Sequence, residues 1–241
     1  MQTYDDFSLC YQCGFDYFIG EFVSRRENWH PPKSEISRSR VFDVLNMIRA
    51  GAEYDAIADK LRLDPILAFK LLRYINSPGI GLLQKVDDIS QVLMLLGRDR
   101  FYRWISLLLF DFKQVGYQGR VLIEQSLTRA RFMESIAGLG NIPNSADQLF
   151  LVGLFSLLGV MMNQPLVIVL KQVSVPEDVA SALYGDPGKL SDALSLGIAV
   201  EYSVPDDISV AAAQCGLDEK TVAALMIDAL AWTQQVVSSS Q

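Results

Sequence analysis

The chain has 241 residues, half of them hydrophobic, enough to bury a sizeable core in one large domain or in one domain with an appendage. Its net charge of −7 and pI near 4.8 lack the basic face that a phosphate backbone requires, which argues against a nucleic-acid partner. Three cysteines and no secretory signal pattern point to a reducing, cytoplasmic setting.

The first residues differ from the rest. Residues 3–13 read as one helix, and residues 15–23, FDYFIGEFV, read as a strand because they are aromatic and β-prone. Residues 28–33, NWHPPK, read as a linker, since prolines cannot continue regular structure. From residue 36 onward the periodicity is helical. Val41, Leu45 and Ile48 form a stripe stopped by Gly51, and Tyr54, Ile57, Ala58 and Leu61 form a second short helix. Asp64 and Pro65 read as N-cap and first helical residue of a third, with Leu67, Leu71 and Ile75 on its apolar face. Asp88 caps a helix through Leu96, stopped by Gly97. The next helices are expected over 101–110 and 120–137.

Ser145 to Gln148 has the form of a capping box ahead of QLFLVGLFSLLGVMMNQPLVIVL, residues 148–170, which carries no charge. A membrane span of about 20 apolar residues is disfavoured, because Asn163-Gln164-Pro165 interrupts the run and no basic cluster flanks it. The run is expected to make two buried core helices. Pro165, Pro176 and Pro205 mark helix starts, and Asp218 caps a last helix through about Val237. The body is therefore expected to be all-α.

Residues able to carry chemistry are few. His30 is the one histidine of the chain, so Ser-His-Asp catalysis and metal sites with two or more histidines have no material. Cys10 and Cys13 form a C-x-x-C pair without a second pair, and they are read as packing residues. Residues 54–76 have the local form of a helix-turn-helix with Lys70 and Arg73 on its second helix. The acidic total favours two packed helices with solvated charges instead. Arg98, Arg100 and Arg103 alternate with Phe101, Tyr102 and Trp104, a pattern that can stack nucleotides but more often buries the aromatics.

Together, ILAFKLLRYINSPGIGLL (residues 66–83), ISQVLMLLG (89–97) and FLVGLFSLLG (150–159) resemble the HDOD signature. HDOD domains are all-α bacterial modules related to HD-type metal-dependent phosphohydrolases, and the resemblance implies an HD-like helical domain over 34–241. The HD enzymes carry a helix reading G-L-L-H-D-I-G whose His-Asp pair binds metal. Residues 153–159 read G-L-F-S-L-L-G in that frame, with Ser156 at the histidine and Leu157 at the aspartate. Neither replaces its counterpart as a ligand. The resemblance therefore implies a non-enzymatic module without metal or cofactor.

GFDYFIGEF, residues 14–22, is similar to the closing strand of an EAL-type cyclic-dinucleotide domain, with Ile19 in place of a glutamine, Gly20 retained and Glu21 in place of an aromatic. Residues 1–33 are thus expected to be an EAL remnant plus linker, and the chain to be the C-terminal part of an EAL-HDOD signalling protein. The activity implied is regulation through another signalling protein or a homodimer, in a cyclic-di-GMP or two-component network. The expected surface is Asn76 and Ser77 with Arg98, Arg100, Arg103 and Trp104. Two other readings stand beside it: a nucleotide sensor with its ligand near Ser156, and a metal-dependent cyclic-dinucleotide phosphodiesterase of HD-GYP or EAL type.

Overall fold

The computed structural model describes residues 4–15, 38–77, 80, 86–109, 117–202 and 205–239, and all regular structure among them is helical. The helices are α1 (Tyr4–Gln12), α2 (Arg38–Arg49), α3 (Tyr54–Arg62), α4 (Pro65–Ile75), α5 (Ile89–Leu96), α6 (Arg98–Leu107), α7 (Tyr117–Ser135), α8 (Ala146–Phe155), α9 (Leu158–Met162), α10 (Leu166–Leu170), α11 (Glu177–Tyr184), α12 (Lys189–Tyr202), α13 (Pro205–Cys215) and α14 (Glu219–Ser239). They fall into two units. One holds α2–α6 together with residues 172–174, and the other holds α1 and α7–α14. The expected strand over 15–23, with Ile19, Gly20, Glu21 and also His30, lies outside the described residues apart from Phe15.

In the α2–α6 unit, local signals set the corners. Asp64 accepts from the amides of Ile66 (3.1 Å) and Leu67 (3.2 Å), and Pro65 follows at the first helical position. The other oxygen of Asp64 takes Arg40 Nη1 of α2 at 2.8 Å. Burial disfavours the Asp64 charge, yet the Arg40 hydrogen bond and the two capping amides outweigh it and hold the carboxyl below its usual value of 3.8. The folded carboxylate thus keeps its charge better than the unfolded one. Its contribution is present in full at neutral pH, fades as pH falls below 3.8, and is lost once pH passes the folded value. Asp64→Asn should cost about 1 kcal/mol at pH 7, and the gap to wild type should narrow at pH 3, as read from urea melts at both pH values.

Val41, Leu45, Ile57, Leu61, Leu67, Leu71, Val92 and Ile105 fill the core of this unit. Residues 172–174 return to it. Asn46 of α2 donates to Gln172 O (3.0 Å) and accepts from Ser174 N (2.7 Å), and Tyr102 of α6 donates to Ser174 O (3.0 Å). Helix α6 begins three residues before the expected 101. Gly97, at φ 73°, closes α5, and its own carbonyl takes the Phe101 amide at 3.1 Å, so no spacer separates the two helices.

In the other unit α7 is central. Leu122, Ile123, Leu127, Ala130, Phe132 and Met133 are all buried on it, and so are Ser126, Thr128 and Arg129. Its buried hydroxyls are paired: Ser126 Oγ donates to Leu154 O at 2.6 Å, and Thr128 Oγ1 donates to Thr233 Oγ1 of α14 at 3.0 Å. Leu149 to Phe155 of α8 are buried without exception.

The expected capping box does not form. Ser145 is the N-cap residue, but its Oγ is buried with no partner, and Gln148 turns to Asp178 at 3.5 Å instead. The apolar run makes three helices, α8, α9 and α10, instead of two. The additional break falls at Ser156 and Leu157, where Ser156 Oγ donates back to Gly153 O at 2.6 Å. The second break is Asn163, which adopts φ 51°. No described helix is long and apolar enough to cross a membrane.

Candidate functional site

Three helices meet at Ser156. Arg129 lies mid-way along α7, in the same helical stripe as Leu122, Ser126 and Met133. Its Nη1 donates to Ser156 Oγ at 2.7 Å, its Nε donates to Glu201 Oε1 at 2.8 Å, and its Nη2 donates to Glu201 Oε2 at 2.5 Å. Glu201 comes from α12 near its C-terminal end. Gln125, one turn before Arg129, gives a further hydrogen bond to Glu201 Oε2 at 2.8 Å. The side chains of Arg129 and Glu201 are only 3% and 9% exposed. This is a planar fork on a carboxylate, the tightest geometry an ion pair adopts.

The arrangement leaves no place for a divalent cation. Leu157 offers no lone pair, Ser156 already accepts from a cation, and both oxygens of Glu201 are taken by Arg129 and Gln125. A metal brought to Ser156 would meet the guanidinium charge within hydrogen-bond reach. Among the described residues no three of His, Cys, Asp and Glu come together as a ligand set. Cys10 and Cys13 carry free thiols, and burial with Asp192 nearby pushes the buried Cys215 thiol up to about 11, so it stays protonated. Among the described residues, cavities of about 300 and 360 Å³ open in this unit, one beside Asp186–Leu190 and one between α12 and α13. Ser156 and Leu157 line neither.

The residues expected to form a surface divide. Asn76 is spent inside its own unit. Its Nδ2 donates to Leu72 O (2.8 Å) and Val86 O (2.6 Å), and its Oδ1 accepts from Val86 N (2.8 Å). Trp104 is buried, packed on Phe101 with ring centres 5.9 Å apart and on Tyr74 at 5.6 Å. Phe101 and Tyr102 are buried as well, so the segment presents no aromatic platform for bases. The guanidinium of Arg98 lies 5.0 Å from the centre of the Tyr54 ring. Ser77 and Arg103 are half-buried, and Arg100 is exposed.

Sequence reasoning missed the outward stripe of this unit. Ile66 and Phe69 are exposed on one face of α4, Phe69 by 64%, with half-buried Lys70 and exposed Arg73 on the same face, and Leu63 is exposed just before the helix. It also missed Arg129, Glu201 and Gln125. The signal was present: a charge at position 129 interrupts a stripe of apolar and small residues that otherwise belongs to a core.

The HDOD domain pattern matches residues 39–169, just over half of the chain, from the second residue of α2 to the fourth of α10. The chain belongs to the HDOD domain family. Two curated relatives of this HDOD chain align along nearly all of it. "Uncharacterized protein YuxH" of Bacillus subtilis is 25% identical over 99% of the chain and 58% of its own length. "Cyclic di-GMP phosphodiesterase CdgJ" of Vibrio cholerae is 24% identical over 98% of the chain and 55% of its own length. The HDOD chain thus spans a little over half the length of the curated relatives it matches. Among solved structures, the MmoQ response regulator from Methylococcus capsulatus aligns over 81% of the chain and 97% of its own length, at 18% identity and a TM-score of 0.36.

Proposed function

We propose that this HDOD chain is a non-catalytic regulatory module of a cyclic-di-GMP signalling protein, acting by docking to another protein. The observation that carries the reading is the Ser156 neighbourhood. There an arginine–glutamate pair fills the ground that a metal-dependent hydrolase gives to its cation. The relative named as a cyclic-di-GMP phosphodiesterase supports the signalling context. The α4 stripe supports a protein partner. Two apolar side chains beside two cations, with Leu63 exposed just ahead of the helix, suit a partner surface with an apolar groove edged by carboxylates, and the apolar half has no use against a phosphate backbone. Residues 1–33 are read as the remnant of an EAL-type domain on the strength of GFDYFIGEF alone.

The test is hydrolysis. The purified chain, incubated with cyclic di-GMP and either manganese or magnesium, should return the dinucleotide intact on chromatography. Metal-dependent conversion to the linear dinucleotide, surviving further purification, would overturn the non-catalytic reading.

A further inference from the structure

We infer that Arg129 does the work of a structural cation: its guanidinium fastens α12 to the crossing of α7 and α8 and keeps divalent metal out of that crossing. The inference deepens the non-catalytic reading and rests on it in part. Glu201 lies beyond the family-matched segment, 32 residues past Val169, yet its carboxylate is delivered to the centre of the unit and receives three hydrogen bonds there. A buried carboxylate is costly unless paired and hydrogen-bonded, and here Arg129 and Gln125 supply both requirements. Arg129 in turn reaches the last turn of α8 through Ser156, whose hydroxyl passes the chain of hydrogen bonds to Gly153 O.

One guanidinium thereby touches a helix on each side, as a bound ion would. Unlike a bound ion it cannot dissociate. Glycine at 197 adds to this reading. A Cβ there would come to 3.6 Å from the stem of Arg129 and from Phe132, so α12 lies directly against the arginine's aliphatic part as well.

The fork geometry matters as much as the charge. Lysine at 129 would supply a compact ammonium in place of a planar fork, and its donors could not reach Ser156 and both oxygens of Glu201 together.

The test is a double-mutant cycle on the full 241-residue chain, with thermal melting and hydrogen exchange as readouts. Arg129→Met and Glu201→Met should each lower Tm by more than the combined change does, because each single change strands a buried charge and the pair removes both. Arg129→Lys should fall nearer to Arg129→Met than to wild type. In the Arg129→Met chain, amide exchange in α12 should quicken by about tenfold or more relative to wild type while α14 keeps its protection. Millimolar manganese and EDTA should leave the wild-type Tm unchanged. Additive losses in the double variant, exchange that quickens evenly over all helices, or a Tm that EDTA lowers would each overturn the inference. A hydrolysis assay that turned out positive would sink the non-catalytic reading and leave the cycle intact. An additive cycle would do the reverse, so the two failures are distinguishable.

Discussion

Gly153→Ala is expected to unfold the α7–α8 crossing at ordinary temperatures or to weaken it by at least about 3 kcal/mol. A Cβ at 153 would stand 2.6 Å from Ala130 Cα and 2.7 Å from Ala130 N, with the Arg129 carbonyl carbon at 2.8 Å. These are backbone atoms of a buried helix, so nothing at the end of a flexible side chain can yield. The two helices would have to separate. That would open the packing of Phe132, Phe150 and Phe155, each almost fully buried and each contributing roughly 1.5–3 kcal/mol. For a protein of this size the loss corresponds to a Tm fall of about 6 °C or more by calorimetry. Gly185→Ala is the control. Its φ of +87° makes alanine strained, but the new Cβ would meet nothing within 4 Å, and the cost should stay near 1 kcal/mol. A Gly153→Ala chain as stable as the Gly185→Ala chain would show that the crossing is looser than drawn.

Asn76→Ala should cost about 2–3 kcal/mol, read from the urea midpoint of the α2–α6 unit. The amide of Asn76 does what a strand neighbour would do: it gives and takes a hydrogen bond with the backbone of Val86, and it also satisfies Leu72 O at the end of α4. Alanine leaves the Val86 N–H without its acceptor and Val86 O without its donor, while Leu72 O keeps the backbone amide of residue 76. Val86, three residues before α5, then loses its anchor at the end of α4. Asn76→Asp should not rescue stability. It keeps an acceptor for Val86 N but turns a negative oxygen toward two carbonyl oxygens. If Asn76→Asp and wild type melt together, the amide donor has no structural role.

Much of the fold could be read from particular residues. Asp64-Pro65, Asp88, Gly97 and Asp218 end or begin helices because their signals are local, a side-chain oxygen or a left-handed backbone within one turn of the boundary. Where the outcome depends on packing, local signals fail. Ser145 has the right sequence for a capping box, but the environment of α8 draws Gln148 to Asp178. The uncharged run gave no warning of the break at Ser156, because a serine bending its own helix is visible only once its hydroxyl has a direction.

The site was half legible. Ser156 and Leu157 could be located from the frame of two glycines, and both glycines prove to be close-approach positions, Gly159 with a Cβ 2.9 Å from Gln164 O. Arg129 and Glu201 are 72 residues apart, and no local rule joins them. The same limit explains Asn76 and Trp104. Their residue types suit a surface, and only the surrounding helices turn them inward.

The return of residues 172–174 to α2 and α6 has a consequence for where this family's boundaries fall. A fragment trimmed to the shared segment, 39–169, would lack that return clasp and would also lack Glu201, leaving the charge of Arg129 buried alone. The segment that the family pattern matches is therefore shorter than the segment whose side chains complete these contacts. The later helices, though outside the matched pattern, supply the carboxylate that pairs with a buried cation inside it.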